Sequence, residues 1–294
     1  MVPPTPFDAR LLRARKRRAA GGFHDATFLH KRSAKDLAER LEAIPRPFPR
    51  ALALGGGALF REALAASPLL AARIGELTEA DIAGAPMEID PEHLPFADTS
   101  FDLIVSPLLL HWVNDLPGAF IQLQRALKPD GLLLAALFGG ETLHELRFSL
   151  LEAESELRGG AALRVAPFAD LQDIAGLLQR AGFALPAADR DLVTVRYREP
   201  LRLLADLRAM GETAALSERA PPLRRDVLMR AMEIYAQRYA DADGRVRATF
   251  EIITATGWAP HESQQKPLKP GSAKTRLADA LKTTEQSAGE KAGE

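Results

Sequence analysis

Short apolar segments alternate with amphipathic ones along the first half of the chain. Strands are predicted where the apolar runs are short and continuous, at residues 50–54, 74–81, 87–90, 101–106 and 132–138. Helical spacing is found between them, at residues 59–72 and 117–127. Strands that alternate with helices in this way predict an α/β fold with a mostly parallel, doubly wound sheet and helices on both faces.

The remaining regions are predicted to be mainly helical. Residues 7–42 show helical spacing without a strand pattern, and residues 200–239 predict a helical stretch. An amphipathic helix is predicted at 170–181 and a strand at 191–197. Residues 249–258 predict a last strand, which we expect to return to the sheet edge with the preceding helices as a lid.

These elements divide the chain into three parts. Residues 1–48 are predicted to form a helical N-terminal extension, and residues 49–260 an α/β domain with its core at 49–147 and a helical lid at about 200–240. Residues 261–294 are rich in Lys, Ser, Gly and Glu. Because such a composition buries too little apolar surface to fold, we expect a disordered tail.

Composition excludes several classes of protein. The chain of 294 residues has no cysteine, which rules out disulfides and thiol nucleophiles and fits the cytoplasm, or the mitochondrial matrix in a eukaryote. A formal net charge of −1 gives no support for nucleic-acid binding. No apolar run approaches the ~18 residues that span a bilayer.

A basic run lies near the N-terminus. It comprises Arg10, Arg13, Arg15, Lys16, Arg17 and Arg18. We interpret it as a solvated helix face, with a weak presequence or an anion-binding arm as the alternatives.

A glycine-rich turn follows the first predicted strand. Gly55 and Gly57 let the backbone approach a ligand closely, although strand-to-helix turns need glycine in many folds. Asp81 ends the second strand, where a carboxylate can accept from both hydroxyls of a ribose, and Glu79 is the alternative in a shifted register. Asp90 ends the third strand, where it can accept from an adenine amino group. Together they predict an adenosine-containing ligand.

Several motifs carry a family resemblance. Residues from about 49 to 138 resemble class I S-adenosylmethionine (SAM) dependent methyltransferases, the broad group that includes the malonyl-carrier methyltransferase of biotin synthesis. More narrowly, residues 101–147 resemble the bacterial relatives of a mitochondrial complex I assembly factor. The specific motifs are His111-Trp112-Val113-Asn114-Asp115-Leu116-Pro117 and Phe138-Gly139-Gly140-Glu141-Thr142-Leu143. The same resemblance is found in Ile44-Pro45-Arg46-Pro47-Phe48-Pro49, Ala166-Pro167-Phe168, Gly257-Trp258 and His261-Glu262-Ser263-Gln264.

This resemblance implies a Rossmann-like methyltransferase fold, SAM as the cofactor and a protein partner such as a quinone-module subunit of complex I. The activity reported in the family is hydroxylation of an arginine in a complex I subunit. Two positions depart from the family's pattern: Ala53 replaces the acidic residue of the glycine turn, and Leu59 replaces its third glycine. Since a lost hydrogen bond to a charged group costs about 1.5–3 kcal/mol, weakened SAM binding is predicted.

Candidate catalytic and binding residues follow the fourth and fifth predicted strands, at the edge where doubly wound sheets bind ligands. His111 could move a proton near neutral pH and Trp112 could stack on adenine or substrate; a packed loop is the alternative for both. Glu141 is a second catalytic candidate or a helix cap, and His144 and Arg147 are candidates for substrate contact. The histidines are scattered without a His-x-Asp/Glu pair, so no metal site is predicted.

Three functions stay open on the sequence alone. The first is a SAM-dependent methyltransferase acting on a protein partner in complex I assembly. The second is an arginine hydroxylase of a complex I subunit, and the third is a non-catalytic assembly factor. The changes at Ala53 and Leu59 favour the second and third, whereas Asp81 and Asp90 favour some adenosine-containing ligand. Fold alone does not choose among them.

Overall fold

The computed structural model describes residues 5–20, 26–265 and 277–284. Residues up to Pro260 belong to one compact unit, and a second unit starts at His261. Most of the predicted disordered tail, residues 261–294, lies outside the described residues. The residues of the tail that the structure describes include the short helix Leu277–Leu281. Within the described part of the chain, no helix is long and apolar enough to cross a membrane.

A mostly parallel sheet forms the centre of the fold. In the described residues it has seven strands in the order β3-β2-β1-β4-β5-β7-β6. The strands are β1 (Phe48–Leu54), β2 (Ile74–Asp81), β3 (Met87–Glu88), β4 (Phe101–Pro107), β5 (Leu127–Phe138), β6 (Ala184–Tyr197) and β7 (Val246–Trp258). The pairs among β1 to β5 are parallel, and β7 is antiparallel to both β5 and β6. The predicted Rossmann-like sheet is confirmed.

Helices pack against this sheet. Those of the first unit's described residues are α1 (Ala9–Ala19), α2 (Phe28–Glu42), α3 (Gly57–Ala65), α4 (Pro68–Arg73), α5 (Leu116–Ala126), α6 (His144–Arg158), α7 (Leu171–Arg180), α8 (Pro200–Met210) and α9 (Arg225–Tyr239). A single 3-10 turn, Leu110–Trp112, follows β4. The helical N-terminal extension is therefore present as α1 and α2, with residues 21–25 between them outside the described residues.

Alternate residues of each strand pack into two separate apolar layers. Ala51 and Ala53 of β1 belong to one layer, with residues of α2, α3, α6 and α9. Leu52 and Leu54 belong to the other, with residues of α5 and α7. This alternation follows from the two-residue period of a strand, and it places helices on both faces of the sheet.

The predicted helical stretch at 200–239 consists of two helices, α8 and α9. Gly211 ends α8 with a φ of 72°, a left-handed conformation that glycine adopts without steric cost. Pro221 and Pro222 then precede α9, and proline disfavours helix in the residue before it. The resulting segment, residues 211–224, runs across the carboxyl edge of the sheet and carries Glu212 into the interior.

The prediction that the last strand returns to the sheet edge is wrong. β7 lies between β5 and β6, and β6 forms the edge. The burial of the two strands explains the order: β7 is buried over most of its length, whereas β6 has many exposed residues, as an edge strand has. β6 also begins at Ala184, well before the predicted start at residue 191.

The connection between β2 and β3 is unusually short. Parallel neighbours normally need a crossover of about a dozen or more residues, often a helix. Here only residues 82–86 separate the two strands, and β3 is limited to Met87 and Glu88. The loop that replaces a helix becomes a wall of the cavity described next.

Candidate functional site

The turn between β1 and α3 has the conformation that its glycines predict. Gly55 and Gly56 have φ values of 78° and 57°. A Cβ on Gly55 would lie 2.6 Å from Cβ of Leu109, and a Cβ on Gly57 would lie 2.8 Å from Cγ of Glu79. Side chains at these positions would collide with their neighbours, so the glycines allow the turn to pack closely.

A cavity of about 200 Å³ lies beside this turn and is named here the glycine-turn cavity. Its lining residues are Lys16, Ala19, Ala20, His30, Gly56, Gly57, Ala58, Leu59, Glu79, Asp81, Ala83, Gly84, Ala85, Pro86, Leu108, Leu109 and Met210. The structure thus brings Gly57 and Asp81 together at one cavity, with Gly55 next to it in the same turn. Glu79, the alternative acid, lines the same cavity.

Asp81 presents a buried carboxylate to this cavity. Its oxygens accept hydrogen bonds from the backbone N–H of Gly56 at 3.2 Å and of Ile82 at 2.6 Å. Burial raises the pKa of the Asp81 carboxyl above its usual value, and the positive charge of Lys16 partly offsets this. Glu79 instead accepts from Nε of Arg61 at 2.6 Å.

The polar groups of the glycine-turn cavity suit an adenosyl ligand, and its volume is small for a whole SAM molecule. Pockets for ligands of that size usually measure ~300–1,000 Å³, more than the 200 Å³ of this cavity. Leu59 is buried in the wall where the family's pattern has glycine, and Leu109 packs on the turn. Ala53 lies in the apolar layer beneath.

Two residues predicted to bind the cofactor lie elsewhere. Asp90 is exposed and accepts hydrogen bonds from the backbone of Glu92 and from the ring of His93, both in its own loop. Trp112 is buried, and its ring packs edge-on against Phe7 with centroids 5.2 Å apart. Neither residue lines the glycine-turn cavity, because the short β2–β3 connection and α1 occupy the space between.

A second cavity of about 200 Å³ lies under the helical segments and is named here the lid cavity. Its lining residues are Phe138, Thr142, Leu143, Leu146, Leu150, Arg164, Val165, Ala166, Phe168, Leu204, Leu207, Glu212, Thr213, Ala214, Leu223 and Phe250. Most are apolar. Of its two charged residues, Arg164 is paired with Glu154 at 2.6 Å.

Glu212 is the charged centre of the site. Its Oε1 accepts from Nζ of Lys16 at 2.5 Å and lies 3.2 Å from Nε2 of His30. Its Oε2 accepts from Nε1 of Trp112 at 2.8 Å and lies 3.1 Å from Nε2 of His111. Lys16 and His30 line the glycine-turn cavity, and Glu212 itself lines the lid cavity, so this cluster separates the two.

Burial and charge act in opposite directions in this cluster. Lys16, His111 and His30 together hold the pKa of the Glu212 carboxyl well below its usual value, although burial by itself would raise it. Burial lowers the pKa of the His111 imidazole, and the nearby Glu212 only partly opposes this. At neutral pH the cluster therefore contains an ionised carboxylate beside a neutral His111.

The residues predicted after β5 lie on the outer side of the site. Glu141 is exposed, and its backbone N–H donates to Oε2 of Glu251 at 2.9 Å. Nδ1 of His144 lies 3.0 Å from the carbonyl oxygen of Glu141. Arg147 donates to the carbonyl oxygens of Gly140 and Thr142 at 2.9 and 3.1 Å, so it holds the turn together. None of the three lines either cavity.

Two histidines that are far apart in the sequence lie close together in the structure. His30 and His111 meet at Glu212, a residue that the sequence analysis missed because its neighbours in the chain carry no catalytic pattern. Both Nε2 atoms point at the carboxylate, and the ammonium of Lys16 shares one oxygen with His30. Among the described residues there is no group of histidine and acidic side chains arranged to hold a metal ion.

The basic run of α1 is not simply a solvated face. Arg15 donates to the carbonyl oxygens of Thr213 and Ala214, and Arg17 pairs with Glu88 at 2.6 Å. Together with the bond from Lys16 to Glu212, these contacts attach α1 to β3 and to the segment 211–224. The sequence shows the charges, but their partners are distant in the chain.

Known proteins share both the sequence and the fold. Residues 64–135 match the family model of the methyltransferase domain. The mitochondrial arginine-hydroxylase NDUFAF5 of Danio rerio is 38% identical over 94% of this chain and 89% of its own length. The same protein of Homo sapiens is 41% identical over 91% of this chain and 81% of its own length.

Methyltransferases are also among the similar proteins. A malonyl-[acyl-carrier protein] O-methyltransferase of Halorhodospira halophila is 32% identical over 88% of this chain and 91% of its own length. The crystal structure of the YcgJ protein of Bacillus subtilis has a TM-score of 0.51 at 16% identity, covering 77% of this chain and 99% of that one, which supports the fold. The chain belongs to the class I methyltransferase-like family that contains the NDUFAF5 arginine hydroxylases and the malonyl-[acyl-carrier protein] O-methyltransferases.

Proposed function

We propose that this protein hydroxylates an arginine side chain of a partner protein, a quinone-module subunit of respiratory complex I, in a reaction that takes its oxygen atom from an external oxidant such as dioxygen together with a two-electron reductant. The similarity to arginine hydroxylases over more than nine-tenths of the chain supports this reaction. The geometric observation that carries it is the size of the glycine-turn cavity, about 200 Å³ with Leu59 in its wall. Methyl transfer requires a whole SAM molecule seated beside the acceptor, and the ~300–1,000 Å³ that pockets for ligands of this size usually measure exceeds the volume of this cavity.

Methyl transfer to the same kind of partner is the second candidate. It is favoured by the convergence of Gly57, Glu79 and Asp81 on one cavity, with the carboxylate of Asp81 available to a ribose. SAM or its demethylated product would bind there weakly.

The lid cavity is the proposed place of the substrate side chain. It adjoins the Glu212 cluster, in which His111 is the candidate base. Glu141 and His144 are exposed or partly exposed at the nearby β5–α6 turn, and we assign them to contact with the partner's surface. Arg147 supports that turn.

Mass spectrometry of complex I tests the reaction. The gene is deleted in the organism that carries it, and the quinone-module subunits are compared with those of the parent strain. Loss of one oxygen atom from an arginine supports hydroxylation, and loss of a methyl group supports the second candidate. Unchanged subunits contradict both, and unchanged subunits with failed assembly indicate a non-catalytic assembly factor.

Calorimetry with the purified protein tests the cofactor. Because the glycine-turn cavity is small and lacks the acidic residue at position 53, we expect SAM to bind with a dissociation constant above the micromolar range. Micromolar binding by the unaltered chain would contradict this expectation.

A further inference from the structure

The carboxylate of Glu212 has no free hydrogen-bonding position. An ionised carboxylate only accepts hydrogen bonds, at about four lone-pair sites. Lys16 and His30 lie on Oε1, and His111 and Trp112 lie on Oε2. A cationic substrate could not pair with Glu212 without displacing one of these four groups. Glu212 therefore holds these four groups in place and has no position left for a substrate.

The contact with Glu212 determines which ring nitrogen of His111 carries the hydrogen. Since Glu212 can only accept, Nε2 of His111 must carry the hydrogen of the bond between them. A neutral imidazole has one N–H, so its other nitrogen, Nδ1, is then an unprotonated acceptor. Nδ1 of His111 is buried and has no hydrogen-bond partner among the described residues. A buried acceptor without a partner is uncommon and calls for an explanation.

The position of His111 suggests a role for its Nδ1 atom at the lid cavity. Its ring packs against those of Phe138 and Phe168, with centroids 4.7 and 5.2 Å away. Both phenylalanines line the lid cavity, and so does Glu212. The imidazole thus lies directly behind the cavity wall. Phe168 is only partly buried and belongs to the loop between α6 and α7, and contact of the imidazole with a group in the cavity requires this side chain to move.

We propose that Glu212 is a positioning residue that holds His111 as the Nε2–H tautomer, so that Nδ1 accepts a proton from a nitrogen–hydrogen group bound in the lid cavity. In that step the N–H bond of the bound group breaks and an Nδ1–H bond forms. The imidazolium that results is paired with Glu212, in the way that a buried carboxylate supports a histidine base in hydrolases. The role of Nδ1 rests on the proposed function, whereas the tautomer does not.

Nuclear magnetic resonance of the full chain tests the tautomer directly. Two-bond nitrogen–proton spectra of a ¹⁵N-histidine sample distinguish the Nε2–H form, the Nδ1–H form and the imidazolium. The signal of His111 is identified as the one that is missing in His111→Asn. We expect the pure Nε2–H pattern in the unaltered chain at neutral pH. An Nδ1–H pattern or an imidazolium there overturns the proposal without any variant of Glu212.

Glu212→Gln tests whether the carboxylate causes this. A glutamine has one acceptor oxygen, for which Lys16 and Trp112 compete, and its NH₂ can donate to a histidine nitrogen. We expect the pure pattern of His111 to give way to a mixture or to the Nδ1–H form. The matched control is Glu154→Gln, which also neutralises a buried glutamate but one paired with Arg164 and not with a histidine. The pattern should persist in it; an unchanged pattern in Glu212→Gln overturns the proposal.

The functional role is measured separately. If the protein modifies its partner's arginine, Glu212→Gln should lower the rate at least tenfold and change its pH dependence, because the base is no longer held as one tautomer. A rate and pH profile equal to those of the unaltered chain would overturn the role of Nδ1. If the unaltered chain modifies no arginine, the proposed function fails, while the spectra still decide whether Glu212 positions His111.

Discussion

Leu59 and Asp81 both line the glycine-turn cavity, and they act on a ligand in opposite directions. Leu59 fills space that a third glycine would leave open, and Asp81 offers an acceptor to a ribose. Their identities were readable from the sequence, because a turn motif fixes the positions of its members. Their common cavity was not, since it depends on the loop after β2 and on Leu109.

Replacement of Leu59 by alanine should tighten SAM binding by roughly tenfold, because the side chain overpacks the space the ligand needs. The same change should lower the free energy of unfolding by about 2–5 kcal/mol, since Leu59 is buried. Calorimetry and urea denaturation measure the two effects. Leu64→Ala is the control: it truncates a buried leucine of the same helix that does not line the cavity, and it should cost stability only. Equal affinities in the two variants would refute the role of Leu59.

Asp81→Asn should weaken binding of S-adenosylhomocysteine by roughly ten- to a hundredfold, the value of about 1.5–3 kcal/mol for a hydrogen bond to a charged group. The variant should stay folded, because burial raises the pKa of Asp81 and removal of its charge therefore costs little. Thermal shift against ligand concentration measures the affinity. Asp90→Asn serves as the comparison, since Asp90 is exposed outside the cavity and should have no effect. A larger loss in Asp90→Asn would support the prediction from the sequence that Asp90 binds the adenine.

At the scale of elements, the turn between β5 and α6 shows why a motif can be recognised without its role being known. Phe138-Gly139-Gly140-Glu141 is specific to the family resemblance, and Glu141 looked like a chemical residue. In the structure Gly139 is the constrained member: a Cβ there would lie 2.5 Å from Oε2 of Glu251 and 2.7 Å from Cδ1 of Ile253. The close contact of this turn with β7, which is distant in sequence, therefore requires glycine at position 139.

Gly139→Ala should therefore destabilise the protein by about 1–3 kcal/mol, the usual cost of overpacking a core. Gly140→Ala is the matched variant, because the nearest atom to its added Cβ is the carbonyl oxygen of Phe168 at 3.6 Å, an ordinary contact. Urea denaturation of both proteins measures the difference. If the two variants were equally stable, the close approach of β7 to this turn would be disproved.

The elements themselves were predictable where their signals were local. The strands from β1 to β5 follow from apolar runs bounded by turns, and α8 and α9 follow from helical spacing. The point at which α8 ends and α9 begins was not predicted, and the internal place of β7 was predicted wrongly. The first depends on Gly211 and two prolines inside a helical pattern, and the second on which strand pairs with β5, a choice made by long-range packing.

At the scale of the whole molecule, one carboxylate joins parts that are far apart in the chain. Glu212 connects α1 through Lys16, α2 through His30 and the turn after β4 through His111 and Trp112. A buried charge costs free energy unless it is paired, so this cluster makes the packing of α1 and α2 depend on protonation. The stability of the fold should therefore depend on pH.

The unfolding free energy should fall as the pH is lowered below about 6.5, the usual pKa of histidine. Because burial lowers the pKa of His111 in the folded state, its contribution is complete above the unfolded value and is lost as the pH falls through the folded value. Glu212 acts in the same direction below its usual pKa of 4.5, since its folded pKa is lowered. Urea denaturation from about pH 5 to 7.5 measures the slope.

The variant His111→Asn isolates the histidine contribution and should flatten that slope. His93→Asn is the control, because the side chain of His93 is 82% exposed and should leave the slope as it is. A slope unchanged in both variants would show that His111 does not drive the acid sensitivity.

The sequence by itself determined the fold class, the family, the glycine turn and the acid at the end of β2, because these depend on residues close together in the chain. Tertiary structure decided that Asp90, Trp112 and Glu141 lie outside the glycine-turn cavity, and that Glu212 lies at the centre of the site. The physical reason is that a buried charge is stable only where other groups pair with it. The four partners of Glu212 come from three separate segments, and only folding brings them within hydrogen-bond distance.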